Sequence, residues 1–302
     1  MFKLLSKESN IFSIPVYLGF LLGIIILFNI FNLSTIGVIS AVITFAGVAL
    51  GYFLFDGVDL TYKTHLPLFL YTILIFGLYP GDLDLGISFS LLTNSFIILI
   101  LTNRDATAKN STYLLVGSLL ALNFIFLPTS YPLIPFVLLH IISTSERVAL
   151  NTFRLFFGMF LIGITYFSVA YFLGWNSWNL DYLPLVEPTI LKEYHPLLFL
   201  SPIVLMVIYA VLDHFNNFNK KSPTSRFKYS LLLVFTLSQL LTIIFYMGKN
   251  FEYLLLLAFP ISIILSRMLK FLPKYWMQEV GVWIILITIL LFKVADYYAL
   301  NI

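Results

Sequence analysis

The sequence contains no cysteine and very little charge. Without cysteine the chain has no disulfide, no thiolate metal site, no iron–sulfur cluster and no cysteine nucleophile. Charged residues make up 10% of the 302 residues, whereas a soluble domain carries about 25%. So few charges do not cover the surface of a soluble globule of this size. A soluble fold is therefore excluded, and a net charge of +3 does not indicate nucleic acid as a partner.

Apolar side chains take the place of the missing charge. Hydrophobic residues make up 60% of the chain, a proportion that also excludes a disordered polypeptide. A membrane-spanning helix needs about 20 mainly apolar residues. We therefore predict an all-α, polytopic membrane protein with about eleven transmembrane helices. The predicted spans lie near 11–31, 35–55, 66–79, 86–102, 112–127, 131–145, 154–173, 196–213, 228–247, 251–267 and 280–297.

Two of these spans, 66–79 and 131–145, are short. As helices they reach only about 21–23 Å, against a hydrocarbon core of about 30 Å. Each forms a tight pair with a neighbouring span, and the pair either crosses the membrane or is a re-entrant hairpin. Both arrangements return the chain to the same side, so the orientation of later spans does not depend on the choice.

Orientation follows from the basic residues. With the N-terminus inside, every one of the 17 Lys and Arg residues except Lys192, Lys249 and Lys293 lies on the inner side, as the positive-inside rule requires. The odd number of spans then leaves the C-terminus outside. The apolar run from Ile11 to Ile30 is too long for a signal peptide, and we expect it to be a retained first span. The expected location is the bacterial cytoplasmic (inner) membrane, because outer-membrane proteins are barrels.

The domain prediction is a single transmembrane domain over residues 1–302. It divides into a first block of spans, 1–213, a basic cytoplasmic loop, 214–227, and a last group of three spans, 228–302. Within the tenth span, Pro260 removes one backbone donor, and we expect a kink there.

Acidic residues on the predicted outer side are the first candidate site. Asp82 and Asp84 follow Pro80-Gly81 in a turn, and Asp181 and Glu187 lie in a long loop. One of these carboxylates would serve as a catalytic base or metal ligand at the membrane surface. The alternative is that they only solvate a turn and a loop.

Basic residues and one histidine are the other candidates. Arg147 and Arg154 are seven residues apart, a spacing that places them on one helix face, where they would bind a phosphate or an anionic headgroup. Membrane anchoring is the alternative. His140 is predicted as an ionisable group inside the bilayer. The four histidines are predicted at different depths, so we expect no shared metal site, and no cofactor is indicated.

Three functions are compatible with these patterns. The leading hypothesis is a non-enzymatic component of an envelope-related membrane complex that handles a lipid or envelope precursor. The alternatives are a transferase acting on polyprenyl-linked sugars at an outward-facing acidic site, and a transporter or flippase for an amphipathic substrate. A transporter would need a polar cavity that reaches Asn94, Asn123 or Gln239. The expected partners are the lipid bilayer, other membrane proteins and a lipid-linked small molecule, and no nucleic acid.

Two segments carry a resemblance to a known family. They are Phe-Lys-Leu-Leu-Ser-Lys-Glu-Ser-Asn at 2–10 and Lys-Asn-Phe-Glu-Tyr-Leu-Leu-Leu-Leu-Ala-Phe-Pro-Ile-Ser-Ile at 249–263. With the general layout of the chain, they resemble an uncharacterised bacterial family of multi-pass inner-membrane proteins. The resemblance implies a membrane location, assigns no activity and transfers no functional residue.

Overall fold

The computed structural model describes residues 1–9, 12–29, 34–58, 60, 63–81, 83–102, 109–174, 188, 195–218 and 221–299. Within these ranges every regular element is helical, which confirms the all-α class. The one β-type pairing among them is an isolated bridge between Glu8 and Thr64.

Thirteen α-helices and two 3₁₀ segments make up the described part of the chain. The helices are α1 (Phe2–Leu5), α2 (Ser13–Asn29), α3 (Thr35–Val58), α4 (His65–Leu78), α5 (Leu85–Thr102), α6 (Lys109–Phe126), α7 (Leu133–Thr144), α8 (Val148–Phe172), α9 (His195–Leu198), α10 (Ser201–Asn216), α11 (Pro223–Tyr246), α12 (Ala258–Phe271) and α13 (Tyr275–Ala299). The 3₁₀ segments are Pro128–Ser130 and Phe251–Leu257.

Six helical stretches in the described ranges are long and apolar enough to cross a membrane. They are Thr35–Phe55, Leu85–Thr102, Val148–Phe172, Pro223–Tyr246, Phe251–Phe271 and Tyr275–Ala295. Shorter apolar helices coincide with further predicted spans, at Ser13–Asn29, His65–Leu78, Thr112–Phe126 and Ser201–Asn216. The chain thus has the helices of a membrane protein, while the number of crossings and the orientation stay predictions.

Contacts between distant segments define two ends of the helix bundle. At one end the Phe2 amide donates to the Glu279 carboxylate over 2.7 Å, and Arg267 donates to the carbonyl oxygen of Leu60 over 3.4 Å. We call this the basic end, because the segments that meet there carry most of the described cations. They include Lys3, Lys7, Lys63, Arg147, Arg154, Lys221, Arg226, Lys228, Arg267, Lys270 and Lys274.

At the opposite end of the bundle, the segments next to the other termini of these helices lie close together. Ser40 donates to the carbonyl oxygen of Leu83 over 2.6 Å, and the amide of Asp84 donates to Glu252 over 3.0 Å. Lys293 donates to the carbonyl oxygen of Tyr79. Segments predicted to share a side of the membrane therefore meet at the same end of the bundle.

The two short helices each reach from one end to the other. The first residue of α4 donates its amide to the carbonyl oxygen of Lys7 over 3.2 Å at the basic end, and the helix is followed by Tyr79 at the opposite end. Helix α7 begins beside the hydrogen-bonded hydroxyls of Tyr131 and Tyr246 and ends at Thr144, next to Tyr113. The choice between a crossing and a re-entrant pair stays a prediction for both helices.

The predicted loop 214–227 is shorter than expected, because both flanking helices extend into it. Helix α10 continues to Asn216 and α11 begins at Pro223. Ser222 caps α11 by accepting the Ser225 amide over 3.3 Å, and a proline suits the first helical position because its missing N–H has no intrahelical acceptor there. The polarity of the segment concealed these helix ends.

Pro260 lies in the first turn of α12 and not in the middle of a helix. The interruption takes the form of the 3₁₀ segment Phe251–Leu257, which joins α12 directly. Backbone amides in a first helical turn have no intrahelical acceptor, so proline costs little at this position. The predicted kink is therefore a change of helix type just before the proline.

Candidate functional site

Asp84 begins a helix at the opposite end of the bundle. The residue is exposed and directly precedes α5, and its carbonyl oxygen accepts the amide of Ser88 over 3.1 Å. A carboxylate at a helix N-terminus is stabilised by the positive end of the helix dipole. This position gives Asp84 a structural role at the start of α5, and a catalytic role for it stays a prediction. Asp82, Asp181 and Glu187 lie outside the described residues, so convergence of the four carboxylates stays a prediction.

The structure brings Glu252 to Asp84, a pairing that the sequence analysis missed. The Glu252 carboxylate accepts the Asp84 amide, and the next residue, Tyr253, shares a hydrogen bond of 3.2 Å with Thr129. These contacts join the turn before α5 to the two 3₁₀ segments. The contacts therefore account for the proximity of Asp84 and Glu252, because they hold these chain segments together.

The two arginines occupy different positions relative to α8. Arg147 precedes the helix, with φ −116° and ψ 65°, and its amide donates to the Ser145 hydroxyl over 3.2 Å. Arg154 lies inside the helix and donates to the side chain of Asn151 over 3.1 Å. Arg147 is thus the N-cap residue of α8, and the sharing of one helix face with Arg154 stays a prediction. Binding of an anion by either arginine stays a prediction.

His140 is a buried side chain in the last turns of α7, close to the basic end. Its Nδ1 lies 3.4 Å from the hydroxyl of Tyr113, and Phe227 is an aromatic neighbour at 5.9 Å between ring centroids. The Thr144 hydroxyl donates back to the carbonyl oxygen of His140 over 2.7 Å. These contacts link His140 to the first turns of α6 and α11, and its position inside the bilayer stays a prediction.

A basic cluster at the α10–α11 turn was missed by the sequence analysis. His214, in the last turn of α10, is only 1% exposed, and its Nδ1 lies 3.1 Å from the Lys221 amine. Its ring packs on Tyr229 with 4.3 Å between centroids. The Lys221 amine and the Arg267 guanidinium lie 5.8 and 5.0 Å from the centre of that same tyrosine ring. We call His214, Lys221, Tyr229 and Arg267 the basic cluster.

Further hydrogen bonds hold the cations of the basic cluster in place. Arg267 donates to the Ser225 hydroxyl over 2.8 Å, which ties α12 to the first turn of α11. Arg226 donates through Nε to the carbonyl oxygen of Lys221 over 2.6 Å and lies 5.2 Å from the centre of the Phe218 ring. The cluster therefore joins α10, the turn that follows it, α11 and α12.

The electrostatics of the cluster disfavour the charged form of Lys221. The pKa of the Lys221 amine is lowered from its usual value, because burial disfavours the ammonium and the Arg267 guanidinium repels it. Asp213 acts in the opposite direction but does not offset these effects. A signal for this cluster was present, since a histidine and several cations flank the turn, but Arg267 is distant in sequence and joins them only through the fold.

The polar residues inside the bundle are closely packed. Asn94, Asn123 and Gln239 are 5%, 1% and 1% exposed, and Asn123 donates to Asn94 over 3.4 Å between α6 and α5. Two cavities are described, a groove beside α2 and a small cavity beside Lys228, and none of these three residues lines either of them. The described residues also contain no group of three His, Asp or Glu side chains close enough to hold a metal ion.

The fold and these sites define a class of protein: an all-helical protein with several helices apolar enough to cross a membrane. A family of unknown function, DUF6427, matches residues 1–299. The chain belongs to this family, and the match covers almost its whole length. No curated protein and no solved structure matches the chain.

Proposed function

We propose that the protein is a multi-pass component of the bacterial inner membrane that handles a lipid or envelope precursor within an envelope-related complex, without catalysing a reaction. The basic end lies on the cytoplasmic side in this proposal. The basic cluster carries the proposal, because it holds a lysine and an arginine in defined positions at the end where the positive-inside rule expects cations to meet headgroups.

The bilayer as partner is supported by the outer surfaces of the helices. Large apolar side chains are exposed along α8, among them Phe153, Phe160 and Phe172 at 64%, 60% and 84%. Such a continuous apolar surface is unfavourable in water, but it matches the hydrocarbon of a lipid bilayer.

The two alternatives have less support. A transferase with an outward-facing acidic site would use Asp84, but its position is accounted for by the start of α5 and by the amide contact to Glu252. A transporter or flippase would need water or substrate to reach the polar residues inside the bundle, and Asn94, Asn123 and Gln239 are packed between helices.

The membrane orientation is directly testable, because the chain has no cysteine. A single cysteine in place of Lys274, at the basic end, should resist a membrane-impermeant maleimide added to intact cells. A cysteine in place of Lys249, after α11, should react. Labelling of position 274 from outside would reverse the proposed orientation.

The functional proposal is tested by isolating the tagged protein from its native membrane in mild detergent. We expect envelope-assembly proteins and a lipid-linked precursor to co-purify, identified by mass spectrometry against an unrelated multi-pass protein of the same membrane. Purification of the protein without other proteins, and with only bulk phospholipid bound, would contradict the proposal. Turnover of a polyprenyl-linked sugar by the purified chain would favour the transferase instead.

A further inference from the structure

In the basic cluster, Lys221 forms no ion pair within 4.0 Å with a carboxylate of the described residues. The Lys221 amine instead meets a histidine nitrogen at 3.1 Å and a tyrosine ring at 5.8 Å. A half-buried cation normally pairs with an anion, because removal from water is costly for an uncompensated charge.

His214 adds a second unsatisfied group to the same cluster. Since the Lys221 ammonium carries only donors, the Nδ1 that it meets must accept, and the hydrogen of the neutral ring is then on Nε2. That Nε2 is buried and has no hydrogen-bond partner in the described part of the chain. An N–H group without an acceptor in a protein interior costs free energy that an oxygen ligand or a water molecule recovers.

The remaining members of the cluster increase its positive potential. Arg267 lies on the same tyrosine ring as Lys221, so a group that contacts the lysine also lies within the field of the guanidinium. Burial, and after it repulsion by Arg267, lowers the pKa of Lys221, and a bound anion would offset that repulsion. Lysine and arginine together are the usual protein ligands of phosphate.

We propose that the basic cluster binds a phosphate group through Lys221, with Arg267 supplying further positive potential. The inference rests on the proposed function in one respect, the location of this end at the inner leaflet, and it adds the chemistry of the ligand. Phosphate is the anionic group of lipid headgroups at that level of a membrane. The same chemistry is offered by a soluble phosphate, and the test separates the two sources.

The test uses the full-length purified protein in nanodiscs of phosphatidylcholine. Phosphatidic acid is added to the bilayer in one arm, and inorganic phosphate is added to the buffer in the other. The variant is Lys221→Met, which keeps the apolar stem of the side chain and removes the charge. Lys274→Met is the matched control, since Lys274 is an exposed lysine at the same end and its loss changes the net charge equally.

We expect Lys221→Met to weaken phosphatidic acid binding about tenfold, the effect of losing one hydrogen bond from a charged donor, and Lys274→Met to change it less than about twofold. Native mass spectrometry gives both affinities. A second readout uses the unaltered protein: phosphatidic acid should slow acylation of the Lys221 amine, followed by peptide mass spectrometry, and leave Lys274 unchanged. This arm decides the question if Lys221→Met does not fold.

Each outcome bears on the proposal. Protection of Lys221 by phosphatidic acid alone supports a lipid phosphate, and protection by inorganic phosphate as well supports the same site with a soluble ligand. Equal effects of the two methionine variants, or no protection by either probe, would overturn the site. In this test the lipids are defined and no partner protein is present. Phosphate binding here, together with a failure of other proteins to co-purify in the detergent experiment, would contradict the proposed complex and leave the phosphate site intact.

Discussion

Two glycine pairs in this protein have opposite surroundings. Gly117 on α6 and Gly158 on α8 face each other's helices so closely that a Cβ at either position would overlap a backbone carbonyl, of Leu155 or of Leu114 respectively. Gly19 and Gly23 on α2 have the spacing of a helix-pairing motif, yet nothing lies within 4 Å of a Cβ built at either. They line an open groove of about 600 Å³ beside Phe76.

The difference shows that glycine spacing alone does not determine which helices touch. Helices α6 and α8 approach through their glycines, and the Ser118 hydroxyl lies 3.4 Å from the carbonyl oxygen of Gly158 across the crossing. Helix α2 is held by aromatic side chains near its ends, where Tyr17 stacks on Tyr52 and Phe28 meets Phe76. Leu21 and Ile25 in the middle of α2 are buried, and only the face that carries Gly19 and Gly23 is left open.

The largest effect is expected from a substitution that disrupts the closed crossing, by which we mean the contact of α6 and α8 through Gly117 and Gly158. Gly117→Leu should destabilise the protein by about 3 kcal/mol, the upper part of the range for overpacking, because the new side chain meets the backbone of α8. The measurement is thermal unfolding in a mild detergent. Gly163→Leu is the control, since Gly163 on α8 has open space at its Cβ. Similar losses in both variants would mean that the crossing is not closed.

A smaller effect is expected where α2 is held. Tyr17→Ala should cost about 1 kcal/mol, beyond the area lost, through removal of the stack on Tyr52, and should increase proteolysis near the start of α2. The control is Phe12→Ala, because Phe12 is 79% exposed just before the same helix. If both variants unfold at the temperature of the unaltered protein, aromatic contacts do not hold α2.

The hydrogen bond across the closed crossing should contribute less. Ser118→Ala removes a hydroxyl that reaches the carbonyl oxygens of Leu114 and Gly158, and we expect a loss of about 0.6 kcal/mol. Thr165→Val is the comparison, since the exposed Thr165 hydroxyl bonds only within its own helix. Unfolding in detergent, repeated at several concentrations, resolves differences of this size. A larger loss for Thr165→Val would contradict the assignment.

The smallest effect is expected from a substitution on the open face of α2. Gly19→Leu should change the free energy of unfolding by less than about 0.5 kcal/mol, because the groove beside α2 has room for the side chain. The same unfolding measurement as for Gly117→Leu applies. A loss as large as that of Gly117→Leu would show that another helix covers this face, and the contrast between the two glycine pairs would disappear.

Most helix positions were predictable, whereas the site contacts were not. Apolar runs of the required length predicted helices where α3, α5 and α8 lie, because burial of backbone polar groups in hydrocarbon leaves few alternatives to a helix. The ends of α10 and α11 were misjudged, since His214 and Arg226 look like loop residues by polarity. The role of Asp84 needed Glu252, which is far away in sequence.

The sequence by itself determined the class of this protein: too few charges to cover a soluble surface and enough apolar runs for many helices. These are properties of single residues and of short segments, and hydropathy acts on each segment separately. Only the tertiary structure decided which glycines close an interface and which cations share a tyrosine ring. Such contacts join helices that are distant in the chain, and their geometry arises when the helices pack against one another.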